Sequence, residues 1–134
     1  MSVPTGERGV AVTEFLHTAR QIQIDTMRMC TGFPKRYQFY VSVPLVETAR
    51  AVHTHAKRGN SIRPTNQHEV QLRRDHFLES VAALHEFVSQ VEVADEMFPV
   101  NKERMRGLMG LVKSELQLLS GVMSSDRKRY RNLP

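Results

Sequence analysis

The chain has 134 residues, of which 40% are hydrophobic and 25% charged, a composition typical of one globular domain and not of a disordered segment. Its one cysteine excludes an internal disulfide and a zinc site built from clustered cysteines, and it indicates a reducing cytoplasm. No stretch approaches the roughly 20 apolar residues that cross a bilayer, so neither a signal peptide nor a membrane association is expected.

The first helix is predicted over residues 10–31, because apolar residues recur there at spacings of three and four. Gly32, followed by Phe33 and Pro34, ends this helix, since glycine tolerates the C-cap conformation and the residue before a proline disfavours the α conformation. Its apolar face comprises Val12, Phe15, Leu16, Ala19, Ile22, Thr26, Met27 and Cys30.

The second helix is predicted over residues 39–58, with Ser42 as its N-cap and Pro44 in its first turn. Gly59 and Asn60 end it, since both accept a positive φ. The run 37–43 (YQFYVSV) alternates as a strand does. It has no partner strand, so a helix start or an extended linker is favoured over a hairpin.

The third helix is predicted over residues 65–97, with Thr65 or Asn66 as its cap and Glu69 in the capping-box position. Its apolar residues follow a four–three rhythm that is typical of a seam in a helix bundle. They are Phe77, Val81, Leu84, Val88 and Val91.

The fourth helix is predicted over residues 101–124, with Asn101 as its N-cap. Gly107 and Gly110 lie inside it and are interpreted as points where another helix approaches closely. The apolar side of this helix comprises Met105, Leu108, Val112, Leu116, Leu119 and Val122.

Four amphipathic helices joined by short loops predict an all-α fold, an antiparallel up-down four-helix bundle that forms a single domain over residues 1–134. The terminal stretches 1–9 and 125–134 are expected to be flexible tails, and the second of these is strongly basic.

No residue pattern predicts catalysis or a metal site. His53 and His55 are two residues apart, so on a helix they point about 200° apart. His68 and His76 lie about 12 Å apart along a helix axis, too far to share one ion. Cys30 lies on the apolar face of the first helix, where core packing is favoured over a nucleophile. The chain is therefore interpreted as a non-enzyme that needs no cofactor.

Charge is distributed unevenly along the chain, whose net charge is +5. Residues 1–67 carry nine Lys and Arg against four Asp and Glu, whereas residues 68–134 carry ten of each. The stretch 79–96 holds five acidic residues and no lysine or arginine. Such asymmetry favours a polyanionic partner for one surface, while an ordinary solvated surface is the alternative.

Nucleic-acid phosphates are the polyanion that the basic residues would suit, since phosphate contacts supply affinity without sequence readout. If the second and third helices are neighbours, the end of one and the start of the other bring several cations together. The basic run 127–131 is a further candidate contact, or serves solubility. The candidate contacts are Lys35, Arg36, Arg50, Lys57, Arg58, Arg63, Arg73 and Arg74.

Three short motifs carry a family resemblance: residues 33–37 (FPKRY), 56–62 (AKRGNSI) and 73–76 (RRDH). Through them the chain resembles, over about residues 12–125, the four-helix-bundle proteins related to the accessory variability determinant of diversity-generating retroelements and to the ribosomal intervening-sequence proteins. The loop 63–67 and the basic tail depart from the better-known members, and the intervening-sequence group has no settled role.

The resemblance implies an up-down bundle that assembles into a ring-like homo-oligomer, a pentamer, with a positively charged surface. It also implies binding of RNA or DNA and of the retroelement's reverse transcriptase, without catalytic residues. The alternative is a protein-interaction or structural bundle of mobile-element origin that does not bind nucleic acid, with the acidic stretch 79–96 as its interface. The positions that match the family are Lys35, Arg36, Lys57, Arg58, Arg73 and Arg74.

Overall fold

The computed structural model describes residues 5–134, with side chains from residue 13 onward, and within that range it is helical without a strand. The predicted all-α class is therefore confirmed for these residues. Helix α1 spans Thr5–Cys30, α2 spans Val43–Ser61, α3 spans Gln67–Met97 and α4 spans Lys102–Arg129. Of the stretch expected to be a flexible N-terminal tail, residues 1–4 lie outside the described part and the remainder belongs to α1.

Side-chain caps begin α3 and α4 as the sequence predicts. The Asn66 side-chain oxygen accepts a hydrogen bond from the Glu69 backbone N–H at 2.9 Å, and the Glu69 carboxylate accepts one from the Thr65 backbone N–H at 2.8 Å. The Asn101 side-chain oxygen accepts from the Arg104 backbone N–H at 3.0 Å. The bonds to Asn66 and Asn101 each satisfy a donor that the first turn of a helix leaves without an intrahelical partner, and the bond from Thr65 ties the preceding residue to that turn.

The connection between α1 and α2 is helical too, which excludes the hairpin alternative for residues 37–43. It consists of a 3₁₀ turn at Lys35–Tyr37 and a π-helical turn at Gln38–Ser42. Pro44 has no N–H to donate to the carbonyl four residues earlier, so the α-helical ladder is interrupted at this point. Ser42, predicted as an N-cap, has a helical backbone and makes no capping hydrogen bond.

One apolar core lies between the helices: α2 packs against α1 and α3, and α4 packs against the same two helices. Phe15 of α1 and Phe77 of α3 meet edge to face inside it, with ring centroids 5.6 Å apart. The first helix contains one error of assignment, because Met27 is 48% exposed whereas Met29 is buried in the core.

Glycines set the spacing between helices at a different place from the one predicted. A Cβ atom at Gly107 or Gly110 would meet nothing within 4 Å, so neither glycine is required by a close approach. At Gly59 a Cβ atom would lie 2.5 Å from the Phe77 ring. The end of α2 and the start of α3 are therefore close enough that only glycine fits at position 59.

The stretch 125–134, expected to be a flexible tail, is helical as far as Arg129 and is hydrogen-bonded to the start of α3. Helix α4 continues to Arg129, and Asp126 is buried. The Gln67 backbone N–H donates to the carbonyl of Pro134 at 2.9 Å, and the Gln67 side-chain amide donates to the carbonyl of Tyr130 at 2.8 Å. The polar end of the chain thus satisfies donors at the start of α3, which polarity in the sequence does not reveal.

Glu115 of α4 is an acidic side chain that lies fully buried in the core. Neither of its carboxyl oxygens has a hydrogen-bond partner. Burial raises the pKa of Glu115 to about 9, so the side chain is protonated and neutral at neutral pH. Within residues 5–134, no helix combines the length and the apolar character needed to cross a membrane.

Candidate nucleic-acid interface

The predicted phosphate contacts separate into two groups along α2. Lys35 and Arg36 lie in the 3₁₀ turn before this helix, and Lys57 and Arg58 lie close to its end. Because α2 has 19 residues and a helix rises about 1.5 Å per residue, the two ends lie about 28 Å apart. The cations thus form two surfaces, one near each end of α2.

Arg73 is not available to a ligand, which corrects its assignment as a phosphate contact. Its side chain is 8% exposed, and its Nε atom donates to the Asp126 carboxylate at 2.7 Å. Nη2 donates to the other Asp126 oxygen at 3.2 Å, and Nη1 donates to the carbonyls of Gly59 and Ile62 at 3.2 and 3.1 Å. Arg73 therefore joins the ends of α2 and α4 to the start of α3 and has a structural role.

Lys57 and Arg58 remain exposed, and they lie beside two histidines whose pKa values are lowered. Burial is the main cause at His53, and Lys57 adds to it. Burial is again the main cause at His55, followed by the charge of His76, whose Nδ1 atom lies 3.2 Å from Nδ1 of His55. Both histidines are thus held towards the neutral form in a positively charged environment.

The contact between His55 and His76 was missed by sequence reasoning, which compared histidines only within one helix. These two residues come from α2 and α3 and meet because those helices pack together. Among the described residues, no group of three or more His, Cys, Asp or Glu side chains is arranged to hold a metal ion.

Lys35 and Arg50 line one groove beside the junction of α1 and α2, with a volume of about 620 Å³. Met27 and Phe33 supply apolar walls, and Glu47 is the one acidic residue of the lining. Lys35 and Arg50 are exposed, so the groove offers cationic and apolar groups to the same ligand.

The π-helical turn beside Lys35 and Arg36 exposes two aromatic side chains. Phe39 is 82% exposed and Tyr40 is 83% exposed, more than any other large hydrophobic residue of the described chain. The guanidinium of Arg36 lies over the Tyr37 ring, 5.1 Å from its centroid. Exposed aromatic rings interleaved with cations suit stacking on nucleic-acid bases or contact with another protein. The only sequence signal for this surface was the strand-like alternation of residues 37–43.

The second cationic surface includes residues that the predicted set omitted. Arg74 of α3 shares a groove of about 290 Å³ with Arg127 of α4 and with Arg131 beyond it. Sequence reasoning treated the basic run 127–131 separately, because it took this part of the chain for a flexible tail. Arg63, in the loop between α2 and α3, is exposed.

The acidic stretch forms a different surface on α3. Glu86, Glu92 and Glu96 are exposed, and Val93 and Met97 beside them are 58% and 54% exposed. Asp95 differs from these because its carboxylate accepts a hydrogen bond from Lys102 Nζ at 2.6 Å. The surface thus combines acidic and apolar side chains, both of which occur in protein interfaces.

No protein-family model and no curated protein matches this chain. The resemblance to the retroelement accessory proteins therefore stays a prediction. A function for this chain has to be inferred from the placement and charge of its side chains.

Proposed function

We propose that this protein is a non-catalytic, oligomeric nucleic-acid-binding accessory protein that holds RNA or DNA chiefly through the phosphates. The observation that carries the proposal concerns the eight predicted contacts. Apart from Arg73, none of them has a carboxylate partner within residues 13–134. A cation without a carboxylate partner keeps its attraction for phosphate, and its counterions are released on binding.

The supporting geometry is the placement of these cations beside features that nucleic acid uses. Lys35 and Arg36 lie in the turn directly before the one that exposes Phe39 and Tyr40, so this part of the surface offers both phosphate contacts and stacking. The binding partner in the cell would be a reverse transcriptase of a diversity-generating retroelement, in the cytoplasm, if the resemblance holds.

We also infer that the helices run alternately up and down, and that copies of the bundle assemble into a homo-oligomer such as a pentamer. The contacts at the two ends of the bundle support these helix directions. Arg73 near the start of α3 bonds to Asp126 near the end of α4 and to Gly59 near the end of α2. At the opposite end, Phe33 after α1 meets Phe98 after α3, with ring centroids 4.8 Å apart.

A salt titration of oligonucleotide binding tests the function. The logarithm of the affinity should fall linearly with the logarithm of the salt concentration, with a slope of roughly 0.7 to 0.9 per phosphate contact. The quadruple variant with Lys35, Arg36, Lys57 and Arg58 changed to Gln should bind more weakly and show a shallower slope. Lys113→Gln, an exposed lysine of α4, is the control. Absence of binding to RNA and DNA even at low salt would rule the proposal out.

A protein-interaction bundle is the second candidate, and the exposed Val93 and Met97 on the acidic surface of α3 favour it. In that case Glu92→Lys should change the assembly state measured by size-exclusion chromatography with light scattering. Glu14→Lys, on the exposed side of α1, makes the same charge change away from this surface and should leave assembly unaltered. Unchanged assembly in both variants would count against the acidic surface as an interface.

A further inference from the structure

The start of α3 and the end of α4 enclose the groove of about 290 Å³ that contains Arg74, Arg127 and Arg131. Gln67, Gln71 and Tyr130 also line it. It lies beside the buried Arg73–Asp126 ion pair, since Asp126 contributes to its wall.

The three arginines reach the groove because of the way the end of the chain is held. Arg127 lies in the last turn of α4, Arg131 lies in the turn that follows the helix, and both line the groove. Beyond α4, the carbonyls of Tyr130 and Leu133 accept hydrogen bonds from the Gln67 side-chain amide at 2.8 and 3.1 Å. These bonds fix the residues on both sides of Arg131 against the start of α3.

The groove carries an excess of positive charge. Asp126 is the one acidic residue of its lining, and both of its oxygens already accept hydrogen bonds from Arg73. Arg74, Arg127 and Arg131 have no carboxylate partner within residues 13–134. Three arginines thus line one concave surface whose carboxylate is neutralised by a fourth.

We infer that this groove binds a phosphate group, and that it is the point where the bundle grips a nucleic-acid phosphodiester. Arginine forks match two phosphate oxygens at once, which gives geometric selectivity as well as attraction. The inference rests on the proposed function for the source of the phosphate, and the groove chemistry would equally accept a free phosphate or a nucleotide.

The test measures binding of two probes, inorganic phosphate and a short single-stranded oligonucleotide, to the full chain and to three variants. The double variant Arg127→Gln/Arg131→Gln removes two forks from the groove. Arg106→Gln/Lys113→Gln removes the same charge from α4 at exposed positions that do not line the groove. Arg127→Lys/Arg131→Lys keeps the charge and removes the fork. The substituted arginines are exposed, and circular dichroism confirms that each variant is folded.

We expect Arg127→Gln/Arg131→Gln to lose about tenfold or more in oligonucleotide affinity, the size of one charge-assisted hydrogen bond, while the control Arg106→Gln/Lys113→Gln loses much less. The arginine-to-lysine variant should fall between them. If the arginine-to-glutamine variant binds both probes more weakly, the groove accepts any phosphate group. If it binds only the oligonucleotide more weakly, the groove requires a phosphodiester.

Two results separate this inference from the proposed function. If the oligonucleotide binds and the two glutamine variants lose affinity equally, the groove is not the phosphate site, while the proposed binding of nucleic acid still holds. If no oligonucleotide binds at all, but the arginine variant alone loses affinity for inorganic phosphate, the groove stands as a small-anion site and the proposed function fails.

Discussion

At the end of the bundle where α2 leads into α3, a buried arginine bonds to three segments of the chain; at the end where α1 leads into α2, aromatic rings make the contacts. Tyr37 stacks on Phe98 at the second end, with centroids 4.8 Å apart, while Phe39 and Tyr40 extend into solvent. We call these the Arg73 end and the Phe39 end. Packing by aromatic rings needs no charge, so the cations of the Phe39 end stay available to a ligand.

The comparison shows that the same residue type has opposite roles a few residues apart. Arg73 and Arg74 are adjacent in the sequence, but Arg73 is buried against Asp126 whereas Arg74 lines an open groove. Helix geometry turns consecutive side chains by about 100°, which separates a structural arginine from a ligand-facing one. Substitutions at each end in turn measure how much that end contributes to stability and to binding.

The largest effect on stability should come from the ion pair of the Arg73 end. Asp126→Asn leaves the buried guanidinium of Arg73 without its carboxylate, so we expect the free energy of unfolding to fall by about 3–5 kcal/mol. Denaturant unfolding measures this loss. Asp95→Asn removes the exposed partner of Lys102 and serves as the control, with a much smaller loss expected. Equal losses in the two variants would contradict a structural role for Arg73.

Glu115, between the two ends, should make stability depend on pH. Its pKa is raised to about 9 in the folded protein from 4.5, so its contribution to stability is fully present below pH 4.5 and is lost progressively as the pH rises to about 9. At pH 7 the contribution that remains is about 3 kcal/mol. Glu115→Gln does not titrate, so its unfolding free energy should decline less between pH 5 and pH 9. Parallel pH profiles for both proteins would exclude the buried acid as the cause.

Glycine substitutions compare the spacing at the two ends. Gly59→Ala places a Cβ atom 2.5 Å from the buried Phe77 ring, so we expect a loss of about 1–3 kcal/mol in unfolding free energy. Gly107→Ala meets open space near the start of α4 and should stabilise the helix by roughly 0.5–1 kcal/mol. Thermal unfolding of the two variants should therefore shift in opposite directions, and a shift in the same direction would argue against the close approach at Gly59.

The smallest effect on stability should come from the exposed aromatic rings of the Phe39 end. Phe39→Ala and Tyr40→Ala should change the unfolding free energy by no more than about 0.5 kcal/mol, because neither ring is buried. Phe77→Ala, which removes a buried ring, should cost about 3–5 kcal/mol and is the matched control.

Phe39→Ala and Tyr40→Ala also test what the Phe39 end binds. Loss of oligonucleotide affinity with an unchanged assembly state would assign the rings to nucleic acid, whereas loss of assembly would assign them to a second copy of the chain. Full retention of both properties would remove this end from either surface.

Much of the fold could be predicted because it depends on local patterns. The seam of α3 was predicted at Phe77, Leu84 and Val91, all of which are buried, and the caps at Asn66 and Asn101 form as expected. Periodicity of 3.6 residues and the chemistry of helix starts are properties of neighbouring residues, so the sequence contains them directly.

The candidate site could be predicted only in part. The sequence located exposed cations such as Lys35 and Arg58, but it also included Arg73, and it kept Arg127 and Arg131 apart as a separate basic run. Whether an arginine faces a carboxylate or solvent depends on which helix passes beside it. Asp126 lies 53 residues from Arg73, and no local pattern connects the two.

By itself, the sequence determined the helical class, the helix positions and the excess of positive charge, since each is a sum over residues close together in the chain. Only the tertiary structure decided that the chain end docks on α3, that Gly59 accommodates Phe77, and that Arg74, Arg127 and Arg131 share a groove. These features arise from contacts between distant segments, whose geometry is settled by how all four helices bury their apolar faces together.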